Sequence, residues 1–244
     1  MTERSNSHAS NGVGFATADG AAARIAAPSR RLFLRNSAAL TLAGSAAAIL
    51  GGPGVANAAP AQKVYPYGPR KDFESIRDHE NDHVAFLVNA LGADARPMPT
   101  FQDLEQKRIE EFFQLARVLE NTGVGAYSGA APYIDSMDYL AAALSIATIE
   151  ARHAGYLNTF LLDPITAPAS DATADPSFEA PLTDTEVDAG AGPFIANLNG
   201  GPPVTYSTTP SPDNDIAILN FALALEYLEA EFYNLNVPKF FGGK

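Results

Sequence analysis

The 244-residue chain carries 28 Asp and Glu against 16 Lys and Arg, a formal net charge of −12, and 46% of its residues are hydrophobic. With no cysteine it has no disulfide staple, thiolate metal site or cysteine nucleophile. The length suits one good-sized domain or two small ones, and the acidic balance argues against nucleic acid as a partner, because no basic stripe can neutralise phosphates.

In chain order, the first feature is Ser29-Arg30-Arg31-Leu32-Phe33-Leu34-Arg35, two adjacent arginines ahead of an apolar pair. A weakly hydrophobic stretch follows from Ala38 to Gly52, then Pro53 and the small-x-small pattern Ala56-Asn57-Ala58. Charged region, short apolar run and cleavage site in that order read as an export signal over residues 1–58. The paired arginines resemble the twin-arginine signal, which implies the twin-arginine export machinery as a partner and a periplasmic or secreted protein. An uncleaved membrane anchor is the alternative, but the apolar run is shorter than the ~20 residues that span a bilayer.

Residues 59–244 read as a single helical domain. A first helix is expected from Arg70 to Leu91, with Phe73, Ile76, Val84, Leu87 and Leu91 at helical spacing and Gly92 ending it. After a connection from Gly92 to Pro99, Thr100 is a candidate N-cap for a second helix extending to about Tyr133, although Gly123 and Gly125 weaken its later turns by ~1 kcal/mol each. A third helix is expected from Ser136 to Leu161, apolar on more than one face and therefore deeply buried. Residues 162–213 hold much of the chain's proline and no Lys or Arg, and read as an irregular insertion with a short hairpin. The last helix is expected from Asn214 to Leu235, with Asp213 and Asp215 at its positive end. The fold class is all-α, a four-helix bundle.

Every one of these helices carries ligand-type residues at a spacing that shares a face. Glu80 and His83 form a Glu-x-x-His on the first, and Glu150 and His153 form another on the third. At ~100° per residue, positions i and i+3 lie ~60° apart, so both side chains can reach one centre. Glu120 precedes Tyr127 by seven residues on the second helix, and Glu226 precedes Tyr233 by seven on the last. One Glu from each of two helices and a Glu-x-x-His from each of the others is the donor set bundles use for two iron or two manganese ions. Carboxylates can bridge two cations while each imidazole holds a defined position. A single Glu-x-x-His is common on solvated helix faces, and Tyr127 and Tyr233 also read as core aromatics with a satisfied hydroxyl. His79 and Glu229 read as surface residues or as neighbours of the ligands, and Glu229 is the substitute ligand if the register slips by a turn.

The stretch Leu219-Asn220-Phe221-Ala222-Leu223-Ala224-Leu225-Glu226-Tyr227-Leu228-Glu229-Ala230-Glu231-Phe232-Tyr233 resembles the first-helix signature of the ferritin-like proteins, including plant desiccation-related proteins and exported bacterial relatives. Ile76 to Gly92, Leu115 to Tyr133 and Ala141 to Leu157 are similar to that family's later helices. The resemblance implies metal-ligand roles for Glu80, His83, Glu120, Glu150, His153 and Glu226. It also implies a helix order of second, third, fourth and first, as in a circular permutation or a truncated tandem that would need a second copy of the chain. The expected function is a two-ion site reacting with dioxygen, peroxide or ferrous ion, in which Tyr127 or Tyr233 hydrogen-bonds a ligand or supplies an electron. The alternative is a non-enzymatic stress protein with a vacant or structural site.

Overall fold

A computed structural model describes residues 68–242, so the expected export signal lies outside the described residues. Four long helices, α1 (Gly68–Leu91), α2 (Ile109–Ala130), α3 (Met137–Phe160) and α5 (Pro212–Phe241), form the bundle, and α4 (Asp184–Ala191) is a short helix in the insertion. Side-chain pairs fix their directions. Phe73 stacks on Phe241 at 5.2 Å, Asn81 bonds Asn234, and Leu87 and Leu91 share an apolar cluster with Ile218 and Leu223, so α1 and α5 run antiparallel. Phe113 meets Phe160 at 4.8 Å and Tyr127 clusters with Ala143 and Ile146, so α2 and α3 are antiparallel too. Phe112 against Phe232 and Tyr127 against Glu226 give the same sense for α2 and α5. It follows that α1 and α2 point the same way, and the chain between them must travel the length of the bundle.

That crossover is residues 92–108, and two buried asparagines of α5 hold it. Asn220 accepts from the Arg96 backbone N–H at 2.7 Å and donates to the Asp94 carbonyl at 2.9 Å. Sixteen residues on, Asn236 accepts from the Gln106 N–H at 2.8 Å and donates to the Leu104 carbonyl at 2.9 Å. At 1.5 Å per residue these clamps lie ~24 Å apart along the helix, so the crossover is pinned near both ends.

Thr100 is not the N-cap of α2. Thr100–Phe101 is a short strand, β1, antiparallel to β2 (Ile195–Asn197), and the cap of α2 is the extended Arg108. Phe101 and Leu104 mimic a helical period because the crossover packs on the same core, with Leu104 buried. The single hairpin expected inside the insertion is likewise absent among the described residues; its strand pairs with the crossover instead. The third helix starts where expected, with Ser136 as the cap of α3. That helix, however, exposes Met137 and Leu144, and it is α5 that is buried at every position from 218 to 226. Alanine makes α3 apolar in composition without requiring burial on all sides. At the bundle's end, the buried Asp215 carboxylate accepts from the Asp135 and Ser136 N–H groups, tying the start of α5 to the start of α3.

The insertion lies against α2, and the glycines of that helix make this possible. The Leu182 N–H donates to the Gly125 carbonyl at 2.9 Å. A β-carbon on Gly125 would come within 2.6 Å of the Leu182 side chain, and one on Gly129 within 1.8 Å of the Leu182 carbonyl oxygen. The helix continues through both residues to Ala130, accepting a propensity penalty of ~1 kcal/mol each in exchange for close approach. Nearby, the Arg117 guanidinium pairs with Asp163 at 2.9 Å and donates to the Pro168 carbonyl, fixing the start of the insertion. Gly129→Ala is therefore expected to lower stability by about 1–3 kcal/mol in urea denaturation, although alanine is the better helix former, because a backbone carbonyl cannot step aside. An unchanged or raised midpoint would show that the insertion is not docked there.

Candidate metal centre

On each long helix the Glu and His residues singled out above fall between two apolar layers. One layer is aromatic, with Phe73, Phe112 and Phe232; the other is mostly aliphatic, with Leu87, Ile146 and Leu223. Glu80, Glu120 and Glu150 are fully buried, Glu226 is 1% exposed and His153 5%. All six expected ligand residues come together, from a single chain. They form two groups whose donor atoms lie within 4.8 Å of one another: Glu80, His83, Glu150 and Glu226, and Glu80, Glu120, Glu150 and His153. Glu80 and Glu150 belong to both groups, as residues shared by two adjacent positions would.

Both imidazoles turn Nδ1 inward. His83 Nδ1 lies 3.2 Å from Glu80 Oε2, 3.0 Å from Glu150 Oε1 and 3.1 Å from Glu226 Oε2. His153 Nδ1 lies 3.1 Å from Glu120 Oε2 and 3.0 Å from Glu80 Oε1. Three buried oxygens, Glu80 Oε1 and both of Glu150, have no hydrogen-bond partner of acceptable geometry. Glu80 Oε1 and Glu150 Oε1 each face an imidazole at 3.0 Å, and Glu150 Oε2 faces none; carboxylate oxygens so incompletely paired in an apolar core are costly, and a cation is the partner that suits them.

The tyrosines act across the bundle rather than along their own helices. Tyr127 on α2 donates to Glu226 on α5 at 2.5 Å, and Tyr233 on α5 donates to Glu120 on α2 at 2.6 Å. Seven residues correspond to ~10.5 Å along a helix. Because α2 and α5 are antiparallel, that offset brings each tyrosine level with the other helix's glutamate. Each phenol thus occupies the outer oxygen of a carboxylate whose inner oxygen faces an imidazole. Burial and then the neighbouring carboxylate raise both phenols well above their ordinary pKa, so they remain donors.

The charges in the cluster are interdependent. Burial and then Glu80, Glu120 and Glu226 push Glu150 well above the ordinary carboxyl range; burial alone leads the rise at Glu226. Burial also opposes the Glu80 anion, but hydrogen bonds from His153 and His83 outweigh it and lower that carboxyl to about 2. Burial disfavours imidazolium at His153, yet Glu120 and Glu80 raise it to about 11; at His83, Glu226 and Glu150 overcome burial in the same way.

Two residues outside the six approach the cluster. His79 is exposed, but its Nδ1 lies 2.9 Å from His153 Nε2, and the rings stack at 5.2 Å, so it backs that imidazole from the solvent side. Glu229 is not solvated: it is 3% exposed and lies beside the cluster. The i, i+3 spacing from Glu226 was the signal for it.

A family model described as a ferritin-like domain matches residues 53–163 and 214–241, more than half of the chain. The unmatched residues between are those of the insertion. Among curated proteins and among solved structures no significant match was found.

Stability without metal should depend on pH in a definite sense. Glu150 and Glu226, raised above 4.5, keep protons in the fold that the unfolded chain has lost, so they reduce stability as pH rises above that value. The His83 and His153 contribution is complete below 6.5 and is lost as pH rises, through about 11 for His153. Glu80 acts oppositely, its contribution being lost only as pH falls from 4.5 through about 2. The metal-free melting temperature is therefore expected to fall between about pH 6 and about pH 9, and the rise on adding Mn(II), which displaces these protons, to grow over the same window. Calorimetric scans with and without Mn(II) check both; a metal-induced rise that shrinks with pH would contradict the assignment.

Proposed function

We propose, from the premise that the chain belongs to the ferritin-like family, that it binds two iron or two manganese ions in this cluster and uses them in oxidant or metal-redox chemistry. The observation that carries this reading is the sharing of Glu80 and Glu150 between two four-residue groups. Four carboxylates would balance two divalent ions, and carboxylate with imidazole suits both metals. Bound there, such a pair would pass electrons to dioxygen or peroxide, drawing them from the metals themselves or from a ferrous substrate.

The chain's own part is to hold and orient. Glu80 and Glu150 have oxygens free for two positions, and His83 and His153 present Nδ1 to one position each. Tyr127 and Tyr233 fix Glu226 and Glu120 and keep a phenolic proton within reach of the site. The two apolar layers exclude bulk water above and below it. The helix directions support reading the chain as a permuted ferritin-like bundle: parallel α1 and α2 joined by a crossover, an α2–α3 hairpin, and α5 returning alongside α1. We also infer export to the periplasm or beyond, from Arg30-Arg31 and the apolar run that follows them.

Metal analysis after Mn(II) or Fe(II) loading is expected to give two ions per chain, with turnover of peroxide or oxidation of ferrous ion. Tyr127→Phe and Tyr233→Phe should each cost about 10–100-fold in affinity or turnover, since they release a ligand carboxylate. Metal content near zero with an unmoved melting temperature would leave only a helical bundle of structural role. Separately, replacing Arg30 and Arg31 by lysine should retain the protein in the cytoplasm on cell fractionation; undiminished export would remove the twin-arginine reading.

A further inference from the structure

The outward face of α1 carries Arg70, Lys71, Asp78 and Asp82, as suits a helix whose other side meets the core. The outward face of α3 differs. From Tyr139 to Leu162 there is no Asp or Lys, the one Glu is the buried Glu150, and Arg152 is the one exposed charge. Met137 is 66% and Leu144 50% exposed on this helix, and just past its end Leu162 is 92% and Ile165 61% exposed. Leu162 has φ of 69°, a left-handed conformation that glycine or asparagine ordinarily takes at a helix end. The turn therefore holds a leucine out in water at a cost in backbone strain.

The exposed residues also have a period. Met137, Ala141, Leu144, Thr148, Ala151 and Gly155 follow one another at alternate spacings of four and three, and all but the half-buried Gly155 are exposed. That is the 3.5-residue repeat of a seam between two helices, and it lies on the side of α3 opposite Glu150 and His153. Its two halves differ in size, with the bulky Met137 and Leu144 toward the N-terminus and the small Thr148, Ala151 and Gly155 toward the C-terminus. An antiparallel pair of α3 helices about a two-fold axis near Thr148 sets the bulky half of each copy against the small half of the other. Leu144 then enters the hollow between Thr148, Ala151, Arg152 and Gly155, with the hydrocarbon stem of Arg152 as one wall. Ile165, whose Cγ1 would lie 3.4 Å from a β-carbon on Gly155, borders that hollow with further apolar surface. A parallel pair would instead place Leu144 on Leu144 and leave Gly155 across from Gly155.

We propose that the outward face of α3 is covered by the same face of a second copy of this chain, in an antiparallel two-fold dimer. Charge favours that occupant. The chain has a net charge of −12, so two copies repel over most of their surface, whereas the seam from Ala141 to Gly155 sets no carboxylate against another. A two-fold axis also repeats each contact, so one well-shaped knob acts twice. The second copy does not complete the bundle, because all six expected ligand residues already converge within one chain. It adds a wall outside α3, whatever the cluster holds.

Sedimentation velocity of the full chain at micromolar concentration is expected to show two chains per particle. Leu144→Lys should weaken that association by about 100-fold or more, since the residue occurs twice in the interface. Phe178→Lys, at a residue of the insertion that is 86% exposed, should leave it unchanged. The chain has no cysteine, so Thr148→Cys supplies a single thiol next to the axis. A short bis-maleimide should join two such chains, and should not join chains carrying Asp78→Cys on the outward face of α1. If Leu144→Lys fails to fold, this cross-link decides alone. A monomeric wild type would overturn the proposal and leave residues 1–67 or a different protein to cover the face. A dimer that a folded Leu144→Lys leaves intact, or in which both thiols cross-link equally, would overturn the choice of α3.

Discussion

Five buried carboxyls and two imidazoles occupy one level of this bundle, and the rest of the structure can be read as what is needed to hold them there. Bringing such groups out of water is expensive unless each is paired. Part of the pairing is internal, through the inward Nδ1 atoms and the two phenols. The remainder, the oxygens of Glu80 and Glu150 that accept no well-formed hydrogen bond, is left for something positively charged. A fold that tolerates this must be anchored elsewhere, and the aromatic and aliphatic layers on either side of the site provide that anchorage.

Bundle closure depends on fewer residues than the helices themselves suggest. Asn220 and Asn236 turn the crossover into part of α5's surface by satisfying its backbone groups at two points. Buried asparagines that answer backbone N–H and C=O groups in this way are hard to replace, because their loss leaves those groups unpaired in the core. On the other side, α2 gives up two side chains at Gly125 and Gly129 so that the insertion can lie against it. Both devices act on connections, and connections decide whether four amphipathic rods enclose a common level.

The tyrosines illustrate how antiparallel packing changes what a spacing means. Along one helix, Glu120 and Tyr127 are two turns apart and do not meet. Across an antiparallel pair the same interval becomes a reciprocal bond, so each phenol secures the carboxylate opposite. His79 has the corresponding role behind His153, reaching from the solvent side to the outer nitrogen of that ring.

Much was legible in the sequence, for local reasons. Helical period and the i, i+3 geometry of Glu-x-x-His are properties of one helix, so α1, α3 and the inward Glu and His residues on them could be read from the chain alone, as could α5 from its unbroken apolar run. What depended on distant partners could not. Thr100 resembles a helix cap until β2 claims it as a strand, Gly125 looks like a helix weakness until Leu182 lies over it, and Glu229 reads equally as a solvated residue or a neighbour of the cluster until Gly123 faces it. Periodicity records which face of a segment avoids water; only packing decides which residues of other segments will meet that face, because that choice is made by contacts between residues far apart in the chain.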